Sequence, residues 1–140
     1  MYVLSIVIIV ASNIIYNITQ KSTPQRANPF AALLATYFTA AVIAFIGLML
    51  SKEQKSLLHS FENLNWTSIA LGVSIVGLEF GYLMAYRAGW DISIGSLVAN
   101  ILLAVILIPV GIIIYKEGFS ITKVFGALLC IAGLLMINKK

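Results

Sequence analysis

Five long apolar runs, separated by short polar stretches, dominate the sequence. The runs cover Tyr2–Ile18, Phe30–Leu50, Trp66–Tyr86, Ile92–Tyr115 and Val124–Asn138. A helix needs about 20 residues, rising about 1.5 Å each, to cross the hydrocarbon core of a bilayer. Each run therefore predicts a membrane-spanning helix, and the first and last, which are short, are expected to continue into flanking polar residues. The first run lacks a basic start and a cleavage site, so it is expected to be a retained span rather than a signal peptide.

The segments between the runs carry turn and charge signals. "TQKSTPQRANP" contains two prolines, and "RAGWD" and "KEGFS" predict tight connections. The longer segment "SKEQKSLLHSFENLN" is polar but places Leu57, Leu58, Phe61 and Leu64 at helical spacing. That spacing indicates either a short helix on the membrane surface or an ordinary loop. No stretch is left for a soluble domain, so residues 1–140 are expected to form a single five-helix membrane domain.

Composition supports a lipid environment. Hydrophobic residues make up 61% of the 140 residues and charged residues 10%, whereas soluble domains have roughly 45–50% and about 25%. The fold class is therefore expected to be all-α integral membrane, with the lipid bilayer as a partner and the inner membrane of a prokaryote as the location. The net charge of +4 lies mostly in loops and ends. It forms no basic face for nucleic acid, and the single Cys130 provides neither a disulfide nor a metal cluster.

The basic residues divide almost equally between the two sides of the predicted bundle. With five spans, the two groups are Lys52, Lys55, Lys116 and Lys123 on one side and Lys21, Arg26, Arg87, Lys139 and Lys140 on the other. Basic residues normally concentrate on the cytoplasmic side and set the orientation. A split of four against five predicts that the chain inserts both ways round.

Glu79 is the outstanding polar residue, because it lies inside the third apolar run. Carboxylates in hydrocarbon are costly and usually face the bundle interior or a water-filled cavity. Glu79 is therefore a candidate site for a cationic substrate, a proton, or both. The structural alternative is an ion pair with Arg87 or hydrogen bonds to neighbouring helices. Arg87 and Asp91, at the turn after this run, are expected to form a local ion pair or a headgroup anchor.

Other polar side chains form stripes on three of the predicted helices. Together with Glu79, the candidate substrate- or proton-binding set is Asn13, Asn17, Tyr82, Tyr86, Ser96 and Asn100. Each of these side chains could either line a cavity or form hydrogen bonds between helices. As a set, they favour a wet or ligand-lined cavity.

Small residues indicate where helices approach closely. Gly126, Cys130 and Gly133 form a stripe on the fifth predicted helix, which is the candidate for part of a dimer interface. Pro109 interrupts the hydrogen-bond ladder of the fourth helix, so a kink is expected there.

From the third helix onward, the pattern resembles the EamA-like drug/metabolite transporter superfamily. The matching segments are "YLMAYRAGWDISIGSLVAN", "IPVGIIIYKEGFS" and "GALLCIAGLLMIN". They include the Ala-x-Arg end of helix three, the acidic Glu117 after helix four, and the spaced glycines of the last helix, which is also similar to the dimer-forming helix of small multidrug resistance proteins. The Lys116–Glu117 element is interpreted as structural. Helix one carries no acid, unlike that of small multidrug resistance proteins.

The resemblance implies a five-helix repeat of a transporter whose typical members have two repeats of opposite orientation. One such repeat, with a flat charge distribution, fits an antiparallel homodimer; a parallel dimer or a heterodimer is the alternative. The implied function is secondary transport of a small-molecule substrate, either a metabolite or an organic cation. The rival hypothesis is a non-transporting accessory subunit. No nucleophile–base pair, metal-ligand spacing or phosphate-binding loop occurs, so neither an enzyme nor a cofactor is expected.

Overall fold

The computed structural model describes residues 2–51, 61, 64–118 and 120–137. Within them lie the helices α1 (Tyr2–Ser22), α2 (Pro29–Leu50), α3 (Trp66–Arg87), α4 (Ile92–Ile113) and α5 (Ile121–Ile137). The first four are long and apolar enough to cross a membrane, whereas α5 has 17 residues and is shorter. These described ranges contain no β-strand. The prediction of an all-helical protein with helices of membrane-spanning length is confirmed.

The helix bounds follow the apolar runs at some ends and pass beyond them at others. The predicted starts at Trp66 and Ile92 are confirmed. Helix α1 continues past Ile18 to Ser22, as expected for a short apolar run, and α5 begins at Ile121, before the predicted Val124. The predicted end of the fifth span at Asn138 lies outside the described residues, as does most of the segment for which a surface helix or a loop was expected.

Asn28 explains where α2 begins. Its side-chain oxygen accepts hydrogen bonds from the backbone N–H groups of Phe30 at 2.9 Å and Ala31 at 3.4 Å. Pro29 occupies the first turn, where its missing N–H costs nothing because that donor would have no partner within the helix. At the start of α3, Asn65 plays the same part by accepting from the Thr67 N–H at 2.9 Å.

The end of α4 folds back on the last turn of the helix. The carbonyl of Gly111 accepts hydrogen bonds from the N–H groups of Tyr115 and Glu117, each at 3.1 Å. Between them, Lys116 adopts a left-handed conformation with a φ of 54°, which costs a residue with a Cβ roughly 1–2 kcal/mol. Helix α4 runs through Pro109 as far as Ile113. The kink expected at Pro109 stays a prediction.

The chain divides into two compact units. The first comprises Met1–Ile18 and Ala88–Lys140, and the second Thr19–Arg87. In the first unit α4 packs against α5; in the second α2 packs against α3. The buried hydrophobic side chains of the described residues, Leu33, Leu83 and Tyr86, lie in the second unit, as does Glu79. The expected single five-helix domain stays a prediction.

Large apolar side chains remain exposed along the helices. Leu34 and Phe38 on α2 are each 72% exposed, and Leu129 on α5 is also 72% exposed. Isolated exposed apolar residues are normal in soluble proteins, but continuous apolar helix surfaces are not. A bilayer would cover such surfaces, and the helices satisfy their backbone hydrogen bonds internally, as lipid requires.

Candidate functional site

Helix α3 buries one stripe of side chains near its carboxyl end. Glu79, Leu83 and Tyr86 are 8%, 1% and 4% exposed, respectively. Their spacing of four and three residues places them on one helix face. Tyr82, on the adjoining turn, is half-buried. The face that carries Glu79 and Tyr86 is thus a buried one, and the role of Glu79, Tyr82 and Tyr86 in binding stays a prediction.

The Glu79 carboxylate is buried without full hydrogen bonding. Its Oε2 atom is inaccessible and has no hydrogen-bond partner among the described residues. A buried polar atom without a partner costs about 1–3 kcal/mol, so native proteins seldom retain one. Glu79 and Arg87, both described, form no ion pair with each other, although the sequence offered that pair as the structural alternative. Glu79 thus has an oxygen available for a group that is not part of the described chain.

Tyr37 on α2 is a neighbour of this site that the sequence analysis missed. Its hydroxyl is also buried without a hydrogen-bond partner among the described residues. A tyrosine in an apolar run gives no signal of its own. Only the packing of α2 against α3 shows that a second buried polar group, the Tyr37 hydroxyl, lies in the same pair of helices as Glu79.

Two aromatic rings follow Glu79 toward the end of α3. The ring centroids of Tyr82 and Tyr86 are 5.9 Å apart, and the planes are tilted by 34°. The ammonium group of Lys21, in the last turn of α1, lies 5.7 Å from the centroid of the Tyr86 ring. This distance is within the range of a cation–π interaction. The sequence analysis treated Lys21 only as a loop charge, so this contact is a finding of the structure.

Arg87 fixes the loop between α1 and α2 to the end of α3. Its Nη2 donates hydrogen bonds to the carbonyl oxygens of Pro24 at 3.1 Å and Ala27 at 2.8 Å. Asp91 is the N-cap residue of α4, without a side-chain hydrogen bond to the helix. The expected local ion pair of Arg87 with Asp91 stays a prediction, and the observed contacts of Arg87 are with a loop in its own unit.

The remaining four predicted site residues form two pairs, each within a single helix. On α1, the Asn17 amide donates to the Asn13 carbonyl oxygen at 2.8 Å and approaches its side-chain oxygen at 3.4 Å. On α4, the Asn100 amide donates to the Ser96 carbonyl at 2.8 Å and approaches the hydroxyl at 3.3 Å. Asn17 is 7% exposed. These pairs belong to the first unit, and their inclusion in a cavity with Glu79 stays a prediction.

The predicted dimer stripe on α5 faces open space. A Cβ placed on Gly126 or Gly133 would have no neighbour within 4 Å, and Cys130 is exposed. The stripe is thus accessible for a close helix–helix contact, as small residues allow. The dimer itself stays a prediction.

A small groove lies between α4 and α5 in the first unit. It has a volume of about 210 Å³, and its lining comes from α4 and from the segment before α5: Ala104, Leu107, Ile108, Ile112, Glu117 and Ser120. The carboxylate of Glu117 packs over Gly111, where an added Cβ would lie 3.1 Å from the carboxyl carbon. This packing, with the backbone bond to Gly111, agrees with the structural interpretation of Glu117.

In the described part of the chain, no group of three or more His, Cys, Asp and Glu side chains is placed to hold a metal ion. Comparisons with protein-family models, curated proteins and solved structures find no match. The function of this protein must therefore be inferred from its own residues, foremost the buried carboxylate of Glu79.

Proposed function

We propose that this protein is a secondary transporter of a small metabolite or an organic cation, with Glu79 as its intramembrane substrate or proton site. The observation that carries the proposal is the Glu79 carboxylate, which is 8% exposed and has an oxygen without a described partner. It lies in a helix long and apolar enough to cross a membrane. Such residues in membrane spans are functional sites by default, because hydrocarbon penalises charge.

The neighbours of Glu79 suit a cation better than an anion. Tyr82 and Tyr86 offer the faces of two aromatic rings, and aromatic faces attract cations. The buried hydroxyl of Tyr37, on the helix packed against α3, is a second oxygen without a described partner. The carboxylate would bind either a cation or a proton, and the arrival of one would release the other.

The transporter would work by alternating access in an antiparallel homodimer in the inner membrane of a prokaryote. Two observations support the dimer. The basic residues divide four against five between the sides, so a chain with five spans would insert in both orientations, and the stripe of Gly126, Cys130 and Gly133 is open to a second helix. A carboxyl-terminal reporter found on one side of the membrane only would contradict dual insertion.

The test of the substrate site is ligand-dependent thermal stability. The purified protein would be melted with a panel of metabolites and organic cations, and the measurement repeated with Glu79→Gln, which retains the shape of the side chain and removes its charge. A ligand that binds only the native state at about 100 times its dissociation constant stabilises that state by about 2.7 kcal/mol. We expect at least one chemical class to raise the melting temperature of the wild type and not of the variant.

The opposite result would favour a different function. If no ligand stabilises the wild type while the variant folds equally well, Glu79 is a structural carboxylate. The accessory-subunit hypothesis, or a role as one half of a heterodimeric transporter, would then take precedence. In that case Glu79→Gln would alter binding to a protein partner rather than any response to small molecules.

A further inference from the structure

The ammonium group of Lys21 occupies the outer end of the aromatic stripe on α3. It lies 5.7 Å from the centroid of the Tyr86 ring, and Tyr86 is 4% exposed. Lys21 belongs to the last turn of α1 and Tyr86 to the last turn of α3. The contact therefore joins the ends of two membrane-spanning helices within one compact unit.

Tyr82 and Glu79 follow Tyr86 on the same face of α3, toward the middle of the helix. The Tyr82 ring is 5.9 Å away, and Glu79 lies about one turn further into the helix. Aromatic faces combined with a carboxylate are the chemistry that recognises quaternary ammonium ions. The Tyr86 ring already has a cation, the Lys21 ammonium group, near its face.

We propose that Lys21 is a specificity-determining residue that acts as a tethered cation on the face of Tyr86. A monovalent organic cation that approaches Glu79 by way of Tyr86 must displace the ammonium group of Lys21, since two like charges on one ring face repel each other. Lys21 thereby disfavours weakly binding cations and leaves the site to ligands that interact strongly with Glu79. This inference rests on the proposed function of the Glu79 site.

The experiment uses tetraethylammonium as the probe and the full chain in lipid nanodiscs. Calorimetry would give the dissociation constant of tetraethylammonium for the wild type, Lys21→Met and Lys21→Arg. Sodium chloride at matched ionic strength is the control salt. Methionine retains an apolar stem without charge, whereas arginine retains the charge. An exposed cation–π contact corresponds to roughly a two- to fivefold change in affinity, so Lys21→Met should bind the probe at least about twofold more tightly. Lys21→Arg should bind like the wild type.

Equal or weaker binding by Lys21→Met would overturn the proposal, as would a similar gain in Lys21→Arg. Lys21 is exposed, so Lys21→Gln is a second uncharged variant for use if the first fails to fold. The outcome is separable from that of the proposed function. If Glu79→Gln abolishes ligand-induced stabilisation while Lys21→Met matches the wild type, the Glu79 site stands and the role of Lys21 is wrong. If no form binds tetraethylammonium, the Lys21 proposal fails, and the metabolite panel still decides on Glu79.

Discussion

Replacing Glu79 by leucine should stabilise the protein. A side chain retained for structure makes interactions whose loss destabilises the fold, whereas a side chain retained for function often costs stability. Glu79 belongs to the second kind if its buried oxygen has no partner within the protein. Leucine has a similar size, needs no hydrogen bond, and would lie on the same face as Leu83, which is 1% exposed.

The magnitude follows from the one carboxylate oxygen that is buried without a described partner. Removing such an acceptor recovers its desolvation penalty, about 1–3 kcal/mol. The hydroxyl of Tyr37 also lacks a described partner and would be unchanged by the substitution. We therefore expect the free energy of unfolding of Glu79→Leu to exceed that of the wild type by about 1–3 kcal/mol.

The assay is unfolding in detergent, followed by circular dichroism. Leu83→Ala is the matched control on the same helix face, and it should lower the free energy of unfolding by about 2–5 kcal/mol, because it leaves a cavity. A Glu79→Leu variant less stable than the wild type by more than about 1 kcal/mol, a typical value for one hydrogen bond, would refute the reasoning. It would mean that Glu79 holds the fold together, and the argument for a substrate site would lose its basis.

Three further predictions test other parts of the structure. Arg87→Gln removes the two hydrogen bonds to the loop between α1 and α2, which together contribute about 1–3 kcal/mol. Trypsin cleavage of the native protein after the exposed Arg26 should therefore accelerate roughly 5- to 150-fold. An unchanged cleavage rate would contradict this role of Arg87. Gly111→Ala should be less stable than Gly47→Ala, since an added Cβ meets a carboxylate at 3.1 Å in the first case and open space in the second; equal melting temperatures would contradict the packing. Mild oxidation in membranes should cross-link two copies through Cys130, which is exposed in the middle of the small-residue stripe, and no covalent dimer would argue against an interface on α5.

The sequence predicted the helices well because lipid imposes a simple rule on them. Apolar runs of sufficient length must be helical in a bilayer, so the starts of α3 at Trp66 and α4 at Ile92 coincide with the first residues of their runs. The other ends were less predictable. Helix α1 extends to Ser22 because polar residues can continue a helix where its end reaches water, and hydropathy alone gives no signal for that.

The candidate site was predictable only as far as it lies on one helix. The spacing of Glu79, Tyr82 and Tyr86 determines their shared face through helical geometry. By contrast, Tyr37 and Lys21 come from other helices, and their proximity depends on how α1 and α2 meet α3. That packing depends on the fit of many weakly specific apolar side chains, which a single sequence does not resolve.

Solute flux in proteoliposomes would show whether Glu79 is the transport site. A ligand that stabilises the wild type in the thermal panel would be radiolabelled, and its uptake into vesicles containing the wild type or Glu79→Gln would be compared with uptake into protein-free vesicles. The account predicts saturable uptake by the wild type and none above background by the folded variant. Uptake by Glu79→Gln equal to that of the wild type, or no uptake by either, would contradict the claim that Glu79 is the transport site.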